Sequence, residues 1–136
     1  MAEGLIRARA ESCADCAIQV MSAGTWVKDA APATANALEV LARRGIDLRQ
    51  HRSREVTDEM LGWADLVLVM TDGHRQALEA DFPSARGKVR LISSLGGGSW
   101  DVADPVGRPV EDYAATAAEI ERLIDAGWDF IAAESP

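Results

Sequence analysis

The apolar and polar positions of the chain follow two alternating rhythms. In MAEGLIRARA (1–10), Met1, Leu5, Ile6 and Ala10 fall on one side of a helix, and Glu3, Arg7 and Arg9 fall toward water. No Ser, Thr, Asp or Asn stands ahead of this helix to meet its first backbone N–H groups, so either its end frays or a segment belongs before it. AIQVMSAG (17–24) alternates toward a short apolar strand. APATANALEVLARRG (31–45) places Pro32 in a first turn, Ala35, Leu38 and Leu41 at helical spacing, and Gly45 as the stop. Thr57 is expected to cap a short helix through Leu61 and Trp63, and Thr71 another through Leu78 that stops before Pro83. Between them DLVLVM (65–70) is a near-continuous apolar run, the pattern of a strand covered on both faces. KVRLIS (88–93) reads as a further strand, and residues 109–127 read as a closing helix ended by Gly127.

Helices alternating with strands predict an α/β fold, a doubly wound parallel sheet with helices on both faces in flavodoxin-like order, formed by residues 1–136 as one domain. The count is odd, because the first helix has no strand feeding it. Each crossover helix of a βαβ unit lies between parallel strands, so a strand and turn are expected ahead of Met1. Two of the remaining strands would then lose a neighbour, and self-association through their unpaired edges becomes a possible outcome.

Composition narrows the function classes. The chain has 136 residues, 48% of them hydrophobic, with 22 acidic against 14 basic side chains and a net charge of −8 spread along its length. That balance argues against a nucleic-acid or anionic-membrane partner. No apolar run approaches membrane-spanning length, and a cytoplasmic setting is expected. Cys13 and Cys16 form a C-x-x-C that follows a helix, the reverse of the order in a redox motif, so incidental or packing cysteines are expected. The loop at 94–108, with three glycines at 96–98, is long enough to point to function and reads as mobile.

Three ordered stretches add a family. MAEGLIRARA, then SAGT with HRSREV downstream, then DVADPVGRPVEDYAATAAEIERLI together resemble the low molecular weight protein-tyrosine phosphatases, including the bacterial branch acting on phosphoarginine. The resemblance covers about residues 1–126. In that family a strand and a Cys-x5-Arg-Ser/Thr-Pro loop precede the helix that begins here at Met1. Six residues after Cys13 stands Gln19, and six after Cys16 stands Ser22, so the 136 residues hold no Cys-x5-Arg. The resemblance implies hydrolysis of phosphotyrosine or phosphoarginine on a protein substrate through a phosphocysteine, with no metal or other cofactor. It also implies that this chain is inactive without the loop.

The resemblance carries the general acid and base onto Asp104, where an Asp-Pro turn former is the plain alternative. It carries support of the phosphate loop onto Ser22 and His51, and the substrate cleft onto Trp26, Pro105 and Val106; an ordinary half-buried tryptophan remains the alternative for Trp26. Val106-Gly107 after the Asp-Pro departs from the aromatic residues of phosphotyrosine enzymes and weakens a claim to that substrate. Arsenate reductases of the same fold need further redox cysteines, and residues 17–136 contain none. The competing function is a degenerate, non-catalytic module that binds a phosphorylated partner or self-associates.

Overall fold

The computed structural model describes residues 1–13, 16–24 and 30–134. Helix α1 (Ala2–Glu11) buries Leu5, Ile6 and Ala10, the expected apolar stripe, and its N-cap Met1 offers no side-chain cap. One position departs from the expected face: Glu3, placed in water by the pattern, is buried. Gly4 lets the helix lie close on its neighbours, because a Cβ there would stand 3.0 Å from both Leu41 Cδ1 and Leu48 Cδ2.

Helix α2 (Ala35–Ala42) starts three residues later than Pro32 would place it, since the Thr34 hydroxyl accepts from the Ala37 N–H and fixes the first turn there. Gly45, at φ +74, follows its end. Thr57 caps α3 (Asp58–Trp63) by accepting from Met60 N–H, and Thr71 caps α4 (Asp72–Asp81) by accepting from His74 N–H. Strands β1 (Val67–Val69) and β2 (Val89–Leu91) pair in parallel, Leu68 opposite Arg90. Ile92 leaves the third expected strand early and enters a 3-10 turn over Ile92–Gly96. Helix α5 (Val110–Ala126) closes as expected at Gly127, and α6 (Trp128–Glu134) follows it unforeseen.

The expected strand at 17–24 is a correction. Among the described residues it makes one isolated parallel bridge, Gly24 to Glu55, closed by Gly24 N–H to the Arg54 carbonyl (2.8 Å) and Val56 N–H to the Gly24 carbonyl (3.0 Å). From Ala17 to Ala23 no backbone N–H donates to a described backbone carbonyl. The segment has strand composition without a partner strand beside it, and a ladder needs both.

β1 shows why its apolar run is continuous. Val67 and Val69 join the cluster of Leu61, Leu78, Ala85 and Val89 beneath α3 and α4, while Leu66, Leu68 and Met70 pack on the larger cluster of Leu5, Ile6, Leu41, Ile92, Ile120 and Ile124. Helical layers therefore cover both faces of the parallel sheet, the α/β arrangement expected.

Two further expectations need correcting. Cys13 and Cys16 are joined in a disulfide, their Cα atoms 5.4 Å apart, within bonding range, and both side chains also pack against the larger cluster. The glycine-rich loop is tied down: Gly98 N–H reaches the Ser93 carbonyl, Trp100 N–H reaches Ser93 Oγ, and Trp100 Nε1 donates to Glu119. Gly98 is required there because a Cβ would fall 1.7 Å from the Trp100 ring.

Gly127 faces a similar limit, since an added Cβ would stand 2.6 Å from Leu95 Cβ. Gly127→Ala should therefore destabilise the chain by about 1–3 kcal/mol, read as a lower urea midpoint. A stabilised variant, the usual result of Gly→Ala near an open helix end, would contradict this packing.

Candidate functional site

Segments far apart in sequence meet at the first turn of α1. Glu3 Oε2 accepts from the Ser22 hydroxyl at 3.0 Å and lies 2.9 Å from His51 Nδ1, while Oε1 accepts from Arg7 at 2.9 Å. Arg7 also donates to the Val20 carbonyl at 2.9 Å, binding the extended segment to the helix a second time. His51 is set by its own N–H, which reaches the Leu48 carbonyl at 3.0 Å. An ionised carboxylate can only accept, so Nδ1 of His51 carries the proton and Nε2 is directed elsewhere.

The Glu3 side chain is 8% exposed. Burial by itself pushes its carboxyl up from 4.5; the Ser22 hydroxyl, the charge and hydrogen bond of Arg7, and the charge of His51 outweigh that and hold it below its ordinary value. It is therefore an anion at neutral pH, with a hydroxyl, a guanidinium and an imidazole around it.

Asp104 approaches from the loop after β2. Val102 is buried and its N–H reaches the Met70 carbonyl at the end of β1 (2.9 Å), while Asp101 accepts from the Asp72 N–H at the start of α4 (2.8 Å). Beyond the turn, Asn36 of α2 donates to the Arg108 carbonyl. Asp104 is thus exposed on a segment anchored on both sides. Its Oδ1 accepts from Val106 N–H at 3.0 Å, the turn-forming role of an Asp-Pro; among the described residues Oδ2 has no partner. Burial lowers the Met1 amine from 8.0, and the charges of Glu3 and Asp104 both act to raise it.

Of the other expected positions, Pro105 is half-buried and Val106 is 62% exposed beside Asp104. Trp26 lies outside the described residues. Ser22 and His51, expected to support the phosphate loop, meet at Oε2 of Glu3. The sequence reading missed Glu3. Its only signal was an acid in the first turn of an uncapped helix, which the helix dipole explains equally well on a surface.

Comparison with known proteins identifies the architecture. Residues 1–133 match the family model of the low molecular weight phosphotyrosine protein phosphatases. The chain belongs to that family. A protein-arginine-phosphatase of Geobacillus stearothermophilus is 38% identical over 109 residues, which are 79% of this chain and 73% of the relative. One from Bacillus subtilis strain 168 is 37% identical over 125 residues, 91% of this chain and 82% of the relative. Among solved structures, a cysteine-to-serine mutant of the YwlE arginine phosphatase with a phosphorylated active-site serine superposes at a TM-score of 0.86 and 35% identity, over 92% of this chain and 82% of that one.

Within this phosphatase chain the Glu3 network makes a prediction about acid. A carboxyl held below its unfolded value stabilises the fold above that value, and the contribution is lost as pH falls through the folded one. Glu3→Gln should therefore be less stable than the parent by about 1–3 kcal/mol near neutrality. The gap should narrow as pH drops below 4.5, followed by denaturant melts at stepped pH. A gap that stays constant across that range would contradict an ionised Glu3.

Proposed function

We propose that the enzyme to which these residues belong removes phosphoryl groups from phosphoarginine side chains of proteins, through a phosphocysteine, and that Asp104 is its general acid and base. The thiolate and the guanidinium that grips the equatorial oxygens belong to a Cys-x5-Arg loop, and the 136 residues contain none. These residues alone therefore have no phosphatase activity. In the first step the thiolate attacks phosphorus, the P–N bond breaks, and protonated Asp104 gives its proton to the leaving nitrogen. In the second the Asp104 carboxylate takes a proton from water, which attacks the phosphocysteine and releases inorganic phosphate and the thiolate.

The observation that carries this reading is the exposed Asp104 carboxylate on a loop anchored by Val102 and Asp101, with its charge felt at the Met1 amine that begins α1. A helix N-terminus favours a bound anion, and Oδ2 of Asp104, without a partner among the described residues, is open to exchange a proton. Glu3, Ser22 and His51 serve there as positioning residues. The substrate follows the names of the relatives at 38% and 37% identity, both protein-arginine-phosphatases; matches near 31% carry names of tyrosine phosphatases. The phosphorylated serine in the YwlE mutant supports a covalent intermediate.

The experiment compares this chain with a product extended upstream in frame, assayed on phosphoarginine protein and on an aryl phosphate. The short chain should be inactive and the extended one active. Asp104→Ala in the extended enzyme should lower kcat by about 10²–10⁴-fold. Activity in the short chain, or an extended enzyme indifferent to Asp104→Ala, would overturn the mechanism; preference for phosphotyrosine protein would overturn the substrate.

A further inference from the structure

Positive charge is concentrated in one stretch of an acidic chain. Five of the 14 basic residues fall within 43–54, as Arg43, Arg44, Arg49, Arg52 and Arg54, on a chain of net charge −8. The first three are neutralised, Arg43 by Glu39, Arg44 by Glu121 and Arg49 by Asp47. Arg52 and Arg54 are exposed and meet no carboxylate among the described residues. We propose that these two arginines form a docking site for an acidic peptide segment, the carboxylate-bearing flank of a protein substrate. Only the identity of that segment as a substrate flank rests on the phosphatase reading.

The guanidinium of Arg52 is ordered in advance. Its Nη1 donates to two main-chain carbonyls, that of Arg49 at 3.1 Å and that of His51 at 2.7 Å. Nε and Nη2, the edge of the group that grips a carboxylate with two parallel bonds, remain for a partner. A guanidinium held this way loses less freedom on binding than a loose one. The backbone is fixed on both edges as well. Ser53 N–H donates to the Ala31 carbonyl at 2.7 Å, and Ser53 Oγ accepts from Ala31 N–H at 2.9 Å. On the other edge Gly24 N–H donates to the Arg54 carbonyl at 2.8 Å, and Val56 N–H to the Gly24 carbonyl at 3.0 Å. Alternation along this extended stretch puts Arg52 and Arg54 on one side and turns Ser53 and the acid Glu55 to the other.

Place in the fold joins this pair to the site. Arg52 directly follows His51, whose Nδ1 lies 2.9 Å from the Glu3 carboxylate in the first turn of α1. A peptide whose phosphoryl group sits at that helix start would lay its neighbouring residues along 52–54. Charge then selects the peptide. Two unneutralised guanidiniums on one face favour carboxylates nearby, whereas the net charge of −8 over the rest of the surface repels a long polyanion such as a nucleic acid. A short acidic flank meets the first condition and escapes the second.

The probe is an acetylated and amidated peptide of glutamates spaced by Gly and Ser, added to the 136-residue chain; its control carries Gln for every Glu. NMR should show saturable shifts at the Arg52 and Arg54 Nε–H groups and at the amides of 51–56 with the Glu peptide, and none with the control. Its Kd should rise about tenfold in the double variant Arg52→Gln, Arg54→Gln, and should rise with salt. Arg86→Gln, at an exposed arginine elsewhere, should leave it unchanged. No binding, equal binding of both peptides, or an equal loss in Arg86→Gln would overturn the proposal. In the upstream-extended enzyme, phosphoarginine peptides flanked by Glu should have a KM about tenfold below those flanked by Gln, at the same kcat. Equal KM values in an active enzyme would overturn the substrate flank. An extended enzyme without activity would fail the phosphatase reading alone, because the peptide titration decides the docking without catalysis.

Discussion

The ionised carboxylate of Glu3, buried in the first turn of α1, ties together three separate parts of the chain at one point. It accepts from Ser22 of the extended segment, pairs with His51 of the irregular stretch before α3, and holds Arg7 of its own helix. A buried charge is tolerated only when its lone pairs are met, and here they are met by one neutral donor and two groups that are or can be cationic. The consequence is geometric. With Glu3 satisfied, α1 cannot rotate about its axis without breaking contacts to residues 19 and 48 positions away in sequence, so its N-terminal end is held in a defined direction.

That direction matters because the second half of the site is built separately. The loop bearing Asp104 takes its position from the C-terminal end of β1 through Val102, from the start of α4 through Asp101, and from α2 through Asn36. Rigid elements thus hold the loop that presents the exposed Asp104 carboxylate. Membership in the low molecular weight phosphatase family is the ground for the function proposed above, in which an anion would sit at this helix N-terminus and Asp104 would move its proton.

Local signals in the sequence carried much of the fold. Thr57 and Thr71 cap the helices they were expected to cap, the apolar run at 65–70 is covered on both faces, and Gly127 ends the long helix. Each depends on residues within a few positions of one another. The failures depend on distant partners. Residues 17–24 have the alternation of a strand but among the described residues pair only at Gly24, Glu3 looks solvent-facing until Ser22 and His51 close over it, and α6 is too short for its period to show. The bond between Cys13 and Cys16 depends on how close their Cα atoms come, which spacing alone leaves open. For the site, Ser22 and His51 were legible as a pair only through the family pattern, and the carboxylate that joins them was not legible at all.

The claim on which the site rests is that Glu3 is ionised and held so by its neighbours. A carbon-detected NMR titration of the Glu3 side-chain carboxyl measures this directly. The midpoint should lie below 4.5 in the parent chain and rise in Ser22→Ala. A midpoint at or above 4.5, unmoved by Ser22→Ala, would mean that burial dominates, and that a neutral Glu3 cannot be the anchor of the site.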